Sequence, residues 1–147
     1  MIRLHMVCSL GSYVAFLIAF LSGWLFLIQE RQLKRKTLGV LFHRLPSLDA
    51  LDRINFAAIG VGFGLLTIGM IFGLARLGPA RSDGWIWDPK VIMTIGLWMA
   101  YCLLWLFRLR ATLRGRRVAL LSMLGFSLLL FTFLGVSRVM PSWHSYL

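Results

Sequence analysis

The chain has 147 residues, of which 59% are hydrophobic and 14% charged, and its mean hydropathy is +0.81. A water-soluble domain does not carry that much apolar surface, so an ordinary soluble enzyme is excluded. Lys and Arg number 16 against 5 Asp and Glu, for a net charge of +11. Apolar blocks separated by basic clusters describe an integral membrane protein.

A charge in hydrocarbon costs several kcal/mol, so charge-free stretches mark the spans. Four occur, at 4–29, 54–75, 91–107 and 118–137. At about 1.5 Å rise per residue, each crosses or nearly crosses a core of about 30 Å. The expectation is an all-α polytopic membrane protein, a single domain over 1–147. Its four transmembrane helices fall at about 6–29, 54–76, 90–108 and 118–138.

The first helix reads as retained rather than as a cleaved secretory signal. Its apolar run is too long, it lacks a small-x-small cleavage site, and Arg31, Lys34, Arg35 and Lys36 form a stop-transfer cluster after it. The loops at 30–53 and 108–117 hold eleven basic residues and the opposite side five. The positive-inside rule makes those loops cytoplasmic and puts both termini and the loop at 77–90 outside. Nothing aromatic is interleaved with the clusters, so they read as topology signals beside lipid headgroups rather than as nucleic-acid contacts.

Within the first basic loop, Ser47 follows Pro46 and opens Ser-Leu-Asp-Ala-Leu-Asp. This is a helix start, with Asp49 and Asp52 near the positive end of the dipole. The spacing predicts a short amphipathic lead into the second helix, and His43 beside Arg44 reads as a solvated or interfacial residue. The second helix carries Gly60 with Gly64 and Gly69 with Gly73. Pairs at this spacing let a neighbouring backbone approach closely. A phosphate loop is excluded, because no Lys-Ser/Thr pair or strand-to-helix context accompanies the glycines.

Cys8 and Cys102 stand alone, without a Cys-x-x-Cys or zinc box. Acidic residues are sparse inside the spans, so a proton or ion pathway lacks a carrier. No nucleophile motif accompanies the histidines, and the chain is not expected to be an enzyme.

The outer face gathers the rarer residues. His5 lies just before the first helix, the loop Gly84-Trp85-Ile86-Trp87-Asp88-Pro89-Lys90 is aromatic, and His144 lies in the tail Pro141-Ser142-Trp143-His144-Ser145-Tyr146. Two neutral imidazoles from opposite ends of a chain can ligate one iron from its two faces, while a tryptophan loop packs on the porphyrin. Spacing alone leaves the other reading open, in which the tryptophans are an interfacial belt and the terminal histidines idle.

The stretch WIWDPK from Trp85 to Lys90, Gly115-Arg116-Arg117, and the ending LFTFLGVSRVMPSWHSYL resemble the cytochrome c assembly family. That family includes the CcsA/ResC component of system II haem handling and HemX-like relatives. LHMVCSLGSYVAFLIAFLSGWLFLIQERQLKRK and LPSLDALDRINFAAIGVGFGLLTIGMIFGLA extend the likeness over essentially the whole chain. The resemblance implies haem held at the outer face by two histidines beside a Trp-Gly-x-x-Trp-x-Trp-Asp motif. His5, followed by Ser12-Tyr13, matches the first histidine, and His144, in His-Ser-Tyr, the second. Trp85, Trp87 and Asp88 match the closing half of the motif.

There are departures. Arg81 and Ser82 stand where the motif's first Trp and Gly are expected. Trp105-Leu106 occupies the neighbourhood where haem-conducting members carry a histidine, no predicted span contains one, and Val91 replaces a common acidic residue. These changes bear on conduction across the membrane and leave the outer-face site as the reading. The family usually has further helices ahead of the first histidine, which leaves three readings open, a shortened member, a split polypeptide or a late-start gene model, with a partner as one way to complete the haem site.

The resemblance therefore implies a cytochrome c-type biogenesis protein of the inner (plasma) membrane, binding haem b through His5 and His144. Trp85, Trp87 and Asp88 would lie beside it; charge alone, not the resemblance, places Lys90 and Arg81 near its propionates. Its partners would be the bilayer, other maturation components and apocytochrome c, with no nucleic acid. The alternative is a HemX-like scaffold or regulator of haem biosynthesis that binds no haem. A small transporter ranks below both, since charged or broken-helix midplane features are missing.

Overall fold

The computed structural model describes residues 2–36, 46–77, 89–110 and 115–131, and all their regular structure is helical. The helices are α1 (Ile2–Lys34), α2 (Leu48–Leu77), α3 (Pro89–Leu109) and α4 (Arg116–Leu130). The first three are each long and apolar enough to cross a membrane. The fourth expected span, at 118–138, is described as far as 131.

Charges bound the hydrocarbon but not the helices. At 33 residues, α1 runs on through Gln29 and Glu30 to Lys34, because backbone hydrogen bonding continues where the side chains turn polar. It closes when Arg35 N–H donates to the Arg31 carbonyl at 3.1 Å and Lys36 N–H to that of Leu33 at 3.2 Å. Lys36 takes the left-handed conformation, φ 53°, that ends many helices. The lead expected before the second helix is continuous with α2. Ser47 caps it, accepting from the Ala50 N–H at 3.2 Å. Pro89 opens α3 at the position where a missing N–H costs nothing.

α1 and α2 form an antiparallel hairpin with the most extensive contact in the molecule, α4 packs next most closely on α1, and α3 lies at the edge. The Phe16 ring sits 2.6 Å from where a Gly62 side chain would begin. It also stacks on Tyr101 of α3, with centroids 3.8 Å apart and planes within 17°. The far end of Tyr101 occupies the space beside Gly125 of α4, where an added Cβ would meet it at 2.9 Å. A glycine, two flat rings and a second glycine thus tie all four helices, with Phe16 and Tyr101 almost wholly buried.

The glycine pairs behave differently. Gly69 and Gly73 do face α1, but Gly60 meets the indole edge of Trp105, and Gly64 has nothing within 4 Å. The closest approach falls instead at Gly62, outside either pair.

Two polar ties complete the packing. Asn55 Nδ2 donates to the Ala19 carbonyl at 2.6 Å and to Ser122 Oγ at 3.0 Å, joining α1, α2 and α4. Buried membrane hydrogen bonds of this kind contribute about 0.6–2 kcal/mol each. Asp52 pairs with Arg108 at the end of α3 and accepts the Gly115 N–H at 3.3 Å. Asp52 therefore serves a neighbouring helix as well as its own dipole. Gly115, at φ 62° and ψ −127°, supplies the turn into α4 in a conformation that only glycine adopts without strain.

Candidate functional site

Of the expected site residues, His5 lies among the described ones. His144, Trp85, Trp87 and Asp88 lie outside them, as do His43 and Arg81. Lys90 falls in the first turn of α3.

His5 lies inside α1, in its first turns, rather than before it as expected, because helical backbone bonding extends past the apolar run to Ile2; α1 runs antiparallel to α2 and lays this end of the helix over Gly69 and Gly73. Its Nδ1 lies 2.7 Å from the Gly69 carbonyl oxygen. A carbonyl can only accept, so Nδ1 carries the proton and donates. In the neutral imidazole the lone pair is then left on Nε2, which makes no hydrogen bond among the described residues. The ring is half-buried. An added Cβ on Gly73 would meet its Nδ1 and Cε1 at 3.2 Å, and one on Gly69 would meet Ser9 Oγ at 3.2 Å.

Ser12, part of the likeness around His5, is fully buried and donates to the Ser9 carbonyl at 2.7 Å. Tyr13 packs against the hydrophobic core. Both face the interior of the bundle.

This arrangement suits a single axial ligand. The described residues hold no group of three or more His, Cys, Asp or Glu side chains that could enclose a bare metal ion. A porphyrin brings four nitrogens of its own, so one or two imidazoles suffice to complete iron coordination. A histidine anchored through one nitrogen to a backbone carbonyl, with the other nitrogen open, is the form in which metal-ligating histidines are usually held. The donor at His5 therefore fits a haem.

A cleft elsewhere in the bundle does not. A cleft of about 420 Å³ between α3 and α4 is lined by Tyr101, Leu104, Leu121, Leu124 and their apolar neighbours. It presents no imidazole, carboxylate or thiol. At the other end of the bundle, the Arg108 guanidinium lies 5.4 Å from the Phe56 ring centroid as well as on Asp52, so its charge is already engaged.

Sequence reasoning missed the Gly69 carbonyl. The pair Gly69 and Gly73 was readable as a close-approach surface, and folding an antiparallel hairpin on it brings the start of α1 opposite. A backbone acceptor, however, leaves no side-chain signature.

The profile of the family described as cytochrome c assembly protein matches residues 1–144. The cytochrome c biogenesis protein CcsA of Crocosphaera subtropica is 33% identical over 125 residues, covering 85% of this chain and 37% of its own. The protein of the same name from a Synechococcus strain is 36% identical over 108 residues, 74% of this chain and 31% of its own. That of Mesostigma viride is 27% identical across 97% of this chain and 53% of its own. The chain thus spans about a third to a half of the length of these relatives. No solved structure matches. With the profile matching nearly end to end, and including the helix that carries His5, the chain belongs to the cytochrome c assembly protein family.

Proposed function

We propose that this chain holds haem b at the outer face of the inner (plasma) membrane and assists its delivery to apocytochrome c. His5, through Nε2, and His144 would hold the iron, Trp85, Trp87 and Asp88 would bind the porphyrin, and Lys90 and Arg81 would pair with its propionates. The observation that carries this reading is the Nδ1–H of His5 on the Gly69 carbonyl, which leaves Nε2 as a ready ligand. The names of the relatives, cytochrome c biogenesis proteins, support it, and they do not favour a scaffold of haem biosynthesis.

When bound, haem supplies the iron and the porphyrin that the acceptor protein acquires. The chain's own part is to bind, orient and present, without turnover: α1 and α2 fix the His5 ring, and the apolar bundle holds that ring at the membrane face. Both termini lie on the outer side in this reading, and the basic loops face the cytoplasm with the other maturation components within reach.

The test is the reduced visible spectrum of the protein purified with haem from bilayers. A six-coordinate low-spin spectrum is expected for the wild type and its loss in a His5→Ala, His144→Ala double variant. An unchanged spectrum in that variant overturns the assignment.

A further inference from the structure

We infer that α2 is the second half of the His5 site: the Gly69 carbonyl sets the tautomer and tilt of the imidazole, and the missing side chain of Gly73 lets the ring lie there. Gly69 and Gly73 are thus positioning residues, and Nε2 is the atom presented. The inference rests on the reading of His5 as a haem ligand and names what controls it.

The geometry leaves little choice. The 2.7 Å contact fixes Nδ1 as the donor, whereas a solvated neutral histidine favours the proton on Nε2. A carbonyl oxygen has two acceptor sites, so Gly69 can receive this proton beside its helical bond. A side chain at Gly73 would begin 3.2 Å from both Nδ1 and Cε1, closer than ordinary contact, and would tip the ring off the carbonyl. A side chain at Gly69 would begin 3.2 Å from Ser9 Oγ, which must give by a few tenths of an ångström, and in ordinary contact with Cys8 Cβ at 3.6 Å, so the tighter constraint on the ring is at Gly73. Gly64, on the same helix, has nothing within 4 Å and is the internal control for replacing a helical glycine. An imidazole anchored by a carbonyl is also a stronger donor to a metal, because polarising Nδ1–H raises electron density at Nε2.

The experiment begins without haem. The full chain, labelled with ¹⁵N-histidine and reconstituted in bilayers, reports the protonation of each ring nitrogen, and the His5 signals are identified by their loss in His5→Gln. The wild type is expected to show a protonated Nδ1 and a bare Nε2. Gly73→Val should move His5 towards the Nε2–H form, and Gly64→Val should leave it unchanged. After haem loading, Gly73→Val should weaken haem retention about 10–100-fold, with Gly64→Val close to wild type.

A wild-type His5 found protonated on Nε2 overturns the inference, whatever haem does. This measurement needs no variant to fold beyond the one used for assignment. Equal retention by Gly73→Val and Gly64→Val also overturns it. A bare Nε2 combined with a haem spectrum that His5→Ala leaves unchanged defeats the ligand reading instead, and the presentation of Nε2 falls with it. The two failures are thus distinguishable.

Discussion

At one end of the α1–α2 hairpin, Asp52 uses both carboxylate oxygens, on Arg108 and on the Gly115 N–H. At the other end, His5 commits one ring nitrogen to Gly69 and, among the described residues, leaves the second without a hydrogen bond. Both are polar groups placed against tightly packed apolar helices, and both hold their elements together. The difference lies in what remains: the carboxylate is saturated by the protein, and the imidazole keeps a lone pair. An imidazole anchored through one nitrogen, with the other unpartnered among the described residues, is the donor that the proposed haem would take.

The sharpest way to break this comparison is to attack the saturated end. Asp52→Ala leaves the Arg108 side chain, only 9% exposed, without its carboxylate, and should cost about 3 kcal/mol in reversible unfolding from detergent. The haem spectrum of the folded fraction should be unaffected, and a spectrum lost in parallel with stability would show that the two ends are not separate. A smaller loss, about 2 kcal/mol, is expected for Gly115→Ala, which forces a side chain into a strained backbone conformation. The smallest loss should come from His5→Ala, below about 1 kcal/mol for one hydrogen bond, yet that variant should lose haem. If His5→Ala destabilised the bundle as much as Asp52→Ala, His5 would be another structural tie and the contrast would disappear.

The three long apolar helices were legible because charge is excluded from hydrocarbon and so writes its boundaries into the sequence. Helix ends were less so: α1 continues to Lys34 because a helix needs no apolar side chains to satisfy its backbone. Ser47 announced its cap through chemistry confined to a few neighbouring residues. Asp52 did not announce Arg108, a partner 56 residues away, and its proximity to a helix start offered a local explanation. Gly62 was one of several glycines in α2, and only the fold says which of them faces Phe16. His5 was reached through spacing and resemblance, while its partner, being backbone, could be found only by folding the chain.

The Gly62, Phe16, Tyr101, Gly125 stack has a consequence for His5. Because each helix contributes one member, the stack works as a key that fits a single axial register. Sliding α1 along α2 by one residue, about 1.5 Å, would drive the Phe16 ring from the gap at Gly62 into a neighbouring side chain. The height of His5 along α2, opposite the Gly69 carbonyl, is therefore gauged by an aromatic lock about three helical turns away.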